Sequence, residues 1–194
     1  SAEFRRSPFV FLANIDPELQ MSVLSQVDNQ ELVACDTMNF WIEGKPDQLH
    51  DLLSLIDVLI INDEEVRALA GTYNLVEAAA TIHSMGPTVL VIKRGEHGVL
   101  AFFDDEMFHA PGYPLKAVAD PTGAGDTFAG GFFGYLAKHG KHAPAVIRRA
   151  VVAGSVMASF CVERFSIGGI VDLDQREIEL RYRAFQLLTD FGDF

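Results

Sequence analysis

The chain has 194 residues, a hydrophobic content of 49% and a formal net charge of −12 at pH 7. Its length favours a single domain over residues 1–194, and its apolar content is sufficient for a hydrophobic core. With 15 Lys and Arg against 27 Asp and Glu, the charge argues against a nucleic-acid partner, and an anionic ligand must be held by local groups. We expect no membrane partner, because the apolar runs are too short to span a bilayer and no signal peptide is recognised. The two cysteines predict buried thiols in a reducing compartment, which favours the cytoplasm.

Short apolar segments alternate with helical patterns along the first 110 residues. Strands are predicted at residues 7–13, 31–36, 57–61, 88–93, 99–103 and 107–110, with the last two forming a hairpin. Helices are predicted at about 17–26, 46–55, 62–69 and 74–85, and two or three long helices close the chain. Nearly continuous apolar strands are typical of a parallel sheet with helices on both faces. The sequence therefore predicts a three-layer α/β/α fold with a mostly parallel, doubly wound sheet.

The most informative stretch is residues 120–128, which read DPTGAGDTF. Gly123, Ala124 and Gly125 precede a predicted helix, so their N–H groups and the positive end of that helix can converge on an anion. Asp126 follows them directly, and a carboxylate beside an anion site would repel the ligand. Its presence is explained if it takes a proton from an attacking hydroxyl. The combination predicts phosphoryl transfer. The alternative is a tight turn followed by an acid that favours a helix N-terminus.

Residues 120–131 resemble the C-terminal signature of the ribokinase-like (PfkB-type) carbohydrate kinases. The resemblance implies ATP-dependent transfer of the γ-phosphoryl group to a hydroxyl of a sugar or sugar-like substrate. It implies that Asp126 is the catalytic base, that residues 123–125 form the anion hole, that Asp120 lies near a cation site and that Thr122 belongs to the nucleotide site.

A second motif, Asn62-Asp63-Glu64-Glu65, follows a predicted strand and resembles the Asn-x-x-Glu motif of the same family. The resemblance implies that Glu65 holds Mg²⁺ through water molecules and that Asn62 helps to position the phosphates, as suits a cation that keeps its water shell. The alternative is a capping box, in which Asn62 and Glu65 satisfy backbone N–H groups and need no ligand.

Residues 93–98 read KRGEHG between two predicted strands and resemble the family's nucleotide-binding turn. The resemblance implies that Lys93 and Gly95 lie along the ATP phosphates and ribose, with Gly98 in the same turn, although glycines in a hairpin loop need no ligand. Gly154 lies on a predicted helix over about residues 143–161. In the family this helix borders adenine and a monovalent cation such as K⁺.

The resemblance covers only the C-terminal portion of a family member. Family members carry a preceding half with further strands, a Gly-Gly sugar-binding motif and a β lid, which we expect to be missing from this chain. Residues 36–41, DTMNFW, match the family's acceptor motif only with shifted spacing, so the acceptor is not assigned. Two alternatives therefore stay open, a nucleoside (adenosine-like) kinase of the same fold and a non-catalytic nucleotide-binding module. A homodimer is also left open.

Overall fold

Six strands form one sheet in the computed structural model, which describes residues 2–140, 143–190 and 192. The strands follow one another in chain order and are β1 Phe9–Leu12, β2 Leu32–Asp36, β3 Val58–Asn62, β4 Val89–Lys93, β5 Val99–Phe103 and β6 Glu106–Ala110. Strands β1 to β4 are parallel. Asp104 and Asp105 both have positive φ angles, of 47° and 60°, as a two-residue hairpin turn between β5 and β6 requires. The predicted α/β fold with a mostly parallel sheet is confirmed.

Five helices connect the parallel strands, and all but the second were predicted. They are α1 Pro17–Leu24, α2 Asn39–Gly44, α3 Pro46–Leu53, α4 Asp63–Ala70 and α5 Leu75–Met85. Helix α2 has six residues, which is too few for an apolar periodicity to be recognised. The strand order does not reverse, so right-handed crossovers place these five helices on the same face of the sheet.

The chain divides into two compact units. The first contains the residues up to Lys93 together with Leu100–Met107, and the second contains Arg94–Val99 and the residues from Phe108 onward. The core of the first unit joins alternate strand residues to side chains of the covering helices, among them the fully buried Leu59, Ile61, Leu90, Ile92, Leu49, Leu52 and Ile82. Each such burial stabilises the fold by about 1.5–3 kcal/mol. This core fixes the carboxyl ends of β3 and β4, where Asn62 lies opposite Lys93.

The second unit is built on three long helices, α6 Ala124–His139, α7 Pro144–Cys161 and α8 Gln175–Thr189. Helices α6 and α7 approach closely because two facing residues lack side chains. A Cβ atom on Gly131 would lie 2.9 Å from Met157 Cγ, and one on Gly154 would lie 2.8 Å from the Phe128 ring. Among the described residues, α7 alone is both long enough and apolar enough to cross a membrane, with a mean hydropathy of 1.3. Half of this helix is buried within the protein. A core helix has the same length and composition.

Candidate active site

The turn before α6 presents free backbone donors. Gly123 is the N-cap residue with a φ of +78°, a left-handed conformation that favours glycine. Ala124 N–H donates to the Pro121 carbonyl at 3.2 Å, so it is used within the turn. The N–H groups of Gly123, Gly125 and Asp126 have no acceptor among the described residues. Free donors at the positive end of a 16-residue helix form a site suited to an anion.

Asp126 is the third residue of α6, and it is exposed. Its carboxylate belongs to the same turn of helix as the free N–H groups, so an anion held by those groups would be close to an accessible base. Of the three residues predicted for the anion hole, Gly123 and Gly125 have free N–H groups, whereas the Ala124 N–H is used within the turn and the Asp126 N–H is a further free donor. The role of Asp126 as catalytic base stays a prediction.

Asp120 closes the loop that leads into this turn. Its Oδ1 atom accepts the Thr122 N–H at 3.0 Å, and its Oδ2 atom accepts the Ser166 N–H at 3.2 Å. Hydrogen bonds from Thr122 and then from Ser166 hold the pKa of Asp120 below its ordinary value. Thr122 is exposed, and its carbonyl accepts the Cys161 thiol with a sulfur–oxygen distance of 3.8 Å. The contact between Ser166 and Asp120 was not predicted, because the two residues lie 46 positions apart in the chain.

Asn62 and Glu65 form a complete capping box at the start of α4. The Asn62 Oδ1 atom accepts the Glu64 and Glu65 N–H groups at 3.0 and 2.8 Å, and Glu65 Oε2 accepts the Asn62 N–H at 2.9 Å. The capping box, which the sequence left open as the alternative for this motif, is therefore present. The metal-binding role stays a prediction. Burial raises the pKa of Glu65, while the Asn62 N–H and the charge of Lys93 oppose the rise. Lys93 lies opposite Asn62 in the sheet, so these two predicted residues share one sheet edge.

Gly95 and Gly98 both have positive φ angles, but only Gly98 is tightly packed. Gly98 has a φ of +85°, and a Cβ atom on it would lie 2.0 Å from the Ala110 carbonyl oxygen. Gly95 has a φ of +54° and open space where a Cβ atom would be. Loop geometry therefore accounts for Gly98, whereas the space beside Gly95 leaves room for a ligand. Their nucleotide-binding role stays a prediction.

Gly154 is buried at the contact between α6 and α7, where the Phe128 ring and carbonyl occupy the space that a side chain would take. Close helix packing explains this glycine without a ligand. Its predicted place beside the nucleotide gains no support from its surroundings.

Glu65 and Asp120, the two carboxylates predicted to hold a cation, belong to different compact units. No group of three or more His, Cys, Asp or Glu side chains is arranged to hold a metal within the part of the chain that the structure describes. Mg²⁺ usually keeps several water molecules and needs only one or two carboxylates from the protein. Glu65 and Asp120 supply one carboxylate in each unit, and each is compatible with such water-mediated binding.

A buried amide at the ends of β1 and β2 was missed. Gln20 is 1% exposed, and its Nε2 atom donates to the carbonyls of Leu12, Ala13 and Asp36 at 2.9, 3.1 and 3.3 Å. Its burial could have been predicted from the sequence, because it lies four residues before the buried Leu24 on the apolar side of α1. Gln20 thus fixes the end of β2, where the incomplete acceptor motif begins.

Comparison with known proteins identifies the family. The pfkB family carbohydrate kinase profile matches residues 11–165. An α/β fold with a glycine-containing turn before a long helix agrees with that match. The chain belongs to the pfkB family of carbohydrate kinases. The family resemblance predicted from residues 120–131 is confirmed.

Three known proteins show how far the similarity extends. The cytidine kinase of Thermococcus kodakarensis is 30% identical over 134 residues, which is 67% of this chain and 48% of that protein. The fructokinase of Klebsiella pneumoniae is 36% identical over 95 residues, which is 48% of this chain and 31% of that protein. The structure of Arabidopsis thaliana ribokinase complexed with ribose and ATP matches with a TM-score of 0.77 at 23% identity, over 93% of this chain and 57% of that chain. This structural likeness shows the ribokinase-like fold. The chain spans about half or less of the length of the cytidine kinase and the fructokinase.

Proposed function

We propose that the protein is an ATP-dependent kinase that transfers the γ-phosphoryl group to a hydroxyl of a sugar or sugar-like substrate. The observation that carries this proposal is the pair of free N–H groups on Gly125 and Asp126 with the exposed Asp126 carboxylate beside them. Membership of a kinase family supports it. The cytoplasm is the proposed location.

The proposed step is an in-line displacement. The acceptor oxygen forms a bond to the γ-phosphorus, the bond between that phosphorus and the β–γ bridging oxygen breaks, and ADP leaves. Asp126 takes the proton of the attacking hydroxyl. The N–H groups at the start of α6 hold the charge that spreads over the phosphoryl oxygens.

The remaining predicted residues serve the nucleotide and its cation. Glu65, with help from Asn62, would hold Mg²⁺ through water and so supply positive charge to the triphosphate, and Asp120 is proposed to lie near a cation site. Thr122 belongs to the turn, while Lys93 and the open side of Gly95 are proposed to contact ATP.

Replacing Asp126 by Asn tests the proposal. The amide keeps the size of the side chain but cannot take a proton, so we expect turnover to fall by about 10²–10⁴-fold. The dissociation constant for nucleotide, measured by calorimetry, is expected to stay close to that of the unmodified protein. Asp51→Asn, which removes an exposed charge on α3, is the matched control. Near-normal turnover in the Asp126→Asn variant would show that the catalytic assignment is wrong.

A nucleoside acceptor is the second candidate, because the cytidine kinase similarity covers two thirds of this chain. An assay of ADP release with ribose, fructose, cytidine and adenosine separates the candidates by their kcat/KM values, and K⁺ is exchanged for Na⁺ in parallel to test the proposed monovalent cation. A sugar used better than both nucleosides supports the proposal, and the reverse order favours the second candidate. Nucleotide binding without ADP release from any acceptor would indicate a non-catalytic module.

A further inference from the structure

Arg181 on α8 contacts the C-terminal turn of α7 through its guanidinium group. Its Nη1 atom donates to Ser159 Oγ at 3.1 Å and to Glu163 Oε2 at 2.7 Å. Its guanidinium carbon lies 3.5 Å from the centroid of the Phe160 ring and 5.2 Å from that of Tyr113. The Arg181 side chain is only 17% exposed, so these contacts are partly shielded from water. Such contacts are stronger than those at an open surface.

The residues between those contacts hold the loop before α6. The Val162 carbonyl accepts the N–H groups of Ala119 and Asp120 at 2.8 and 3.3 Å. The Cys161 thiol donates to the Thr122 carbonyl. Residues 159, 160 and 163 thus face Arg181, while residues 161 and 162 contact the loop that leads to Gly123.

The loop after α7 adds one more contact to the same place, since the Ser166 N–H donates to Asp120 Oδ2. A Cβ atom on Gly169 would lie 2.0 Å from the Phe160 carbonyl oxygen, so this loop packs tightly against the turn that Arg181 grips. A shift at the end of α7 would therefore move Asp120 and the turn that starts α6.

We propose that Arg181 is a positioning residue, which holds the C-terminal turn of α7 and through it the loop of residues 119–123 that aims the phosphate-binding N–H groups. The catalytic consequence rests on the proposed kinase function, whereas the structural coupling does not. Arginine suits the task because its planar guanidinium stacks on Phe160 while donating hydrogen bonds, and a lysine ammonium would keep only the charge.

Hydrogen–deuterium exchange tests the coupling independently of catalysis. In the intact protein, Arg181→Met is expected to speed exchange of the Ala119 and Asp120 amides by about tenfold or more, because their acceptor at Val162 is no longer held in place. Arg181→Lys should give a smaller increase. Arg183→Met, on the exposed side of the same helix, should give none. Faster exchange that is confined to α7 and α8 would overturn the proposal.

Kinetics test the consequence for phosphoryl transfer. Displacement of the turn should lower kcat by about 10- to 100-fold with a smaller change in the KM for ATP, since misplacing groups that act in the transition state costs mainly turnover. Arg181→Lys should restore part of kcat. In an Asp126→Asn background, Arg181→Met should add little further loss because both changes affect one assembly. Fully additive losses would overturn the proposal.

The two measurements separate this inference from the proposed function. Faster exchange at Ala119 and Asp120 in a protein that phosphorylates no acceptor would support the positioning role and refute the proposed kinase activity. If Arg181→Met does not fold, Arg181→Lys and Glu163→Gln provide the same readouts, and unchanged exchange in both would refute the positioning role.

Discussion

The Glu65 carboxylate has one observed role and one proposed role. Its Oε2 atom closes the capping box with the Asn62 N–H, and the same side chain is the proposed ligand of a hydrated Mg²⁺. The side chain is 9% exposed, and burial of the charge raises its pKa. Burial therefore disfavours the ionised form that a cation needs, although the Asn62 N–H and the charge of Lys93 partly oppose this effect.

Glu65→Gln should change stability in a pH-dependent way. A raised pKa means that the folded state binds the proton more tightly than the unfolded chain, so the stability from Glu65 is full below its ordinary pKa of 4.5 and is lost as the pH rises through the folded value. Gln keeps an acceptor for the Asn62 N–H without a charge. We expect the free energy of unfolding of the variant to exceed that of the unmodified protein at neutral pH, with the difference shrinking toward acid pH.

Urea unfolding across a series of pH values measures this difference. Glu65→Ala is the control, because it leaves the Asn62 N–H without its acceptor and should lower stability at every pH by about 1 kcal/mol or more. A difference between Glu65→Gln and the unmodified protein that does not change with pH would contradict the prediction. A raised Mg²⁺ requirement for turnover in Glu65→Gln would separately support the proposed metal site.

Helices α6 and α7 show how elements position the turn. Gly131 and Gly154 let the two helices approach, and Phe128 on the first turns of α6 fills the space beside Gly154. The start of α6, where the free N–H groups lie, is therefore fixed by packing along the helix as well as by the loop before it.

Gly154→Ala should destabilise the protein. The added Cβ atom would lie 2.8 Å from the Phe128 carbonyl oxygen, which belongs to the backbone and cannot move aside easily, so we expect a loss of about 1–3 kcal/mol. Gly134→Ala is the matched control on α6, since nothing lies within 4 Å of its Cβ position. That change should stabilise the helix by about 0.5–1 kcal/mol. Thermal unfolding of both variants measures the difference, and equal effects would refute the packing argument.

At the scale of the whole molecule, each compact unit contains one buried free cysteine. Cys35 lies in β2 with strands paired on both sides, and Cys161 is the last residue of α7. Burial raises the pKa of Cys35, so the native thiol is poorly suited to react. The two thiols can therefore report separately on the opening of the two units.

We expect Cys161 to become reactive at a lower urea concentration than Cys35. Helix ends open locally, whereas an inner strand is exposed only when its unit unfolds. Pulsed alkylation followed by mass spectrometry measures both sites in one sample, with Cys161→Ala to confirm the assignment. Simultaneous labelling of the two cysteines would show that the units open together.

Much of the fold could be predicted because its signals are local. Every strand was found within about two residues, since apolar runs bounded by turn residues identify buried strands without reference to distant parts of the chain. Helix α2 was missed because six residues are too few to show a helical period. The division into two compact units was not anticipated, because it depends on which residues contact one another across long separations.

The sequence by itself determined the strand–helix alternation, the turn of residues 120–126 and the family, because each is written in residues close together in the chain. Only the tertiary structure decided which N–H groups of that turn are free and how deeply Glu65 is buried. It also decided that Arg181 contacts the end of α7 at Ser159, which lies 22 residues before it in the chain. Local patterns report backbone preference and apolar periodicity. Burial and hydrogen bonding between distant residues arise only when the elements pack, and at this site they decide how the turn is held.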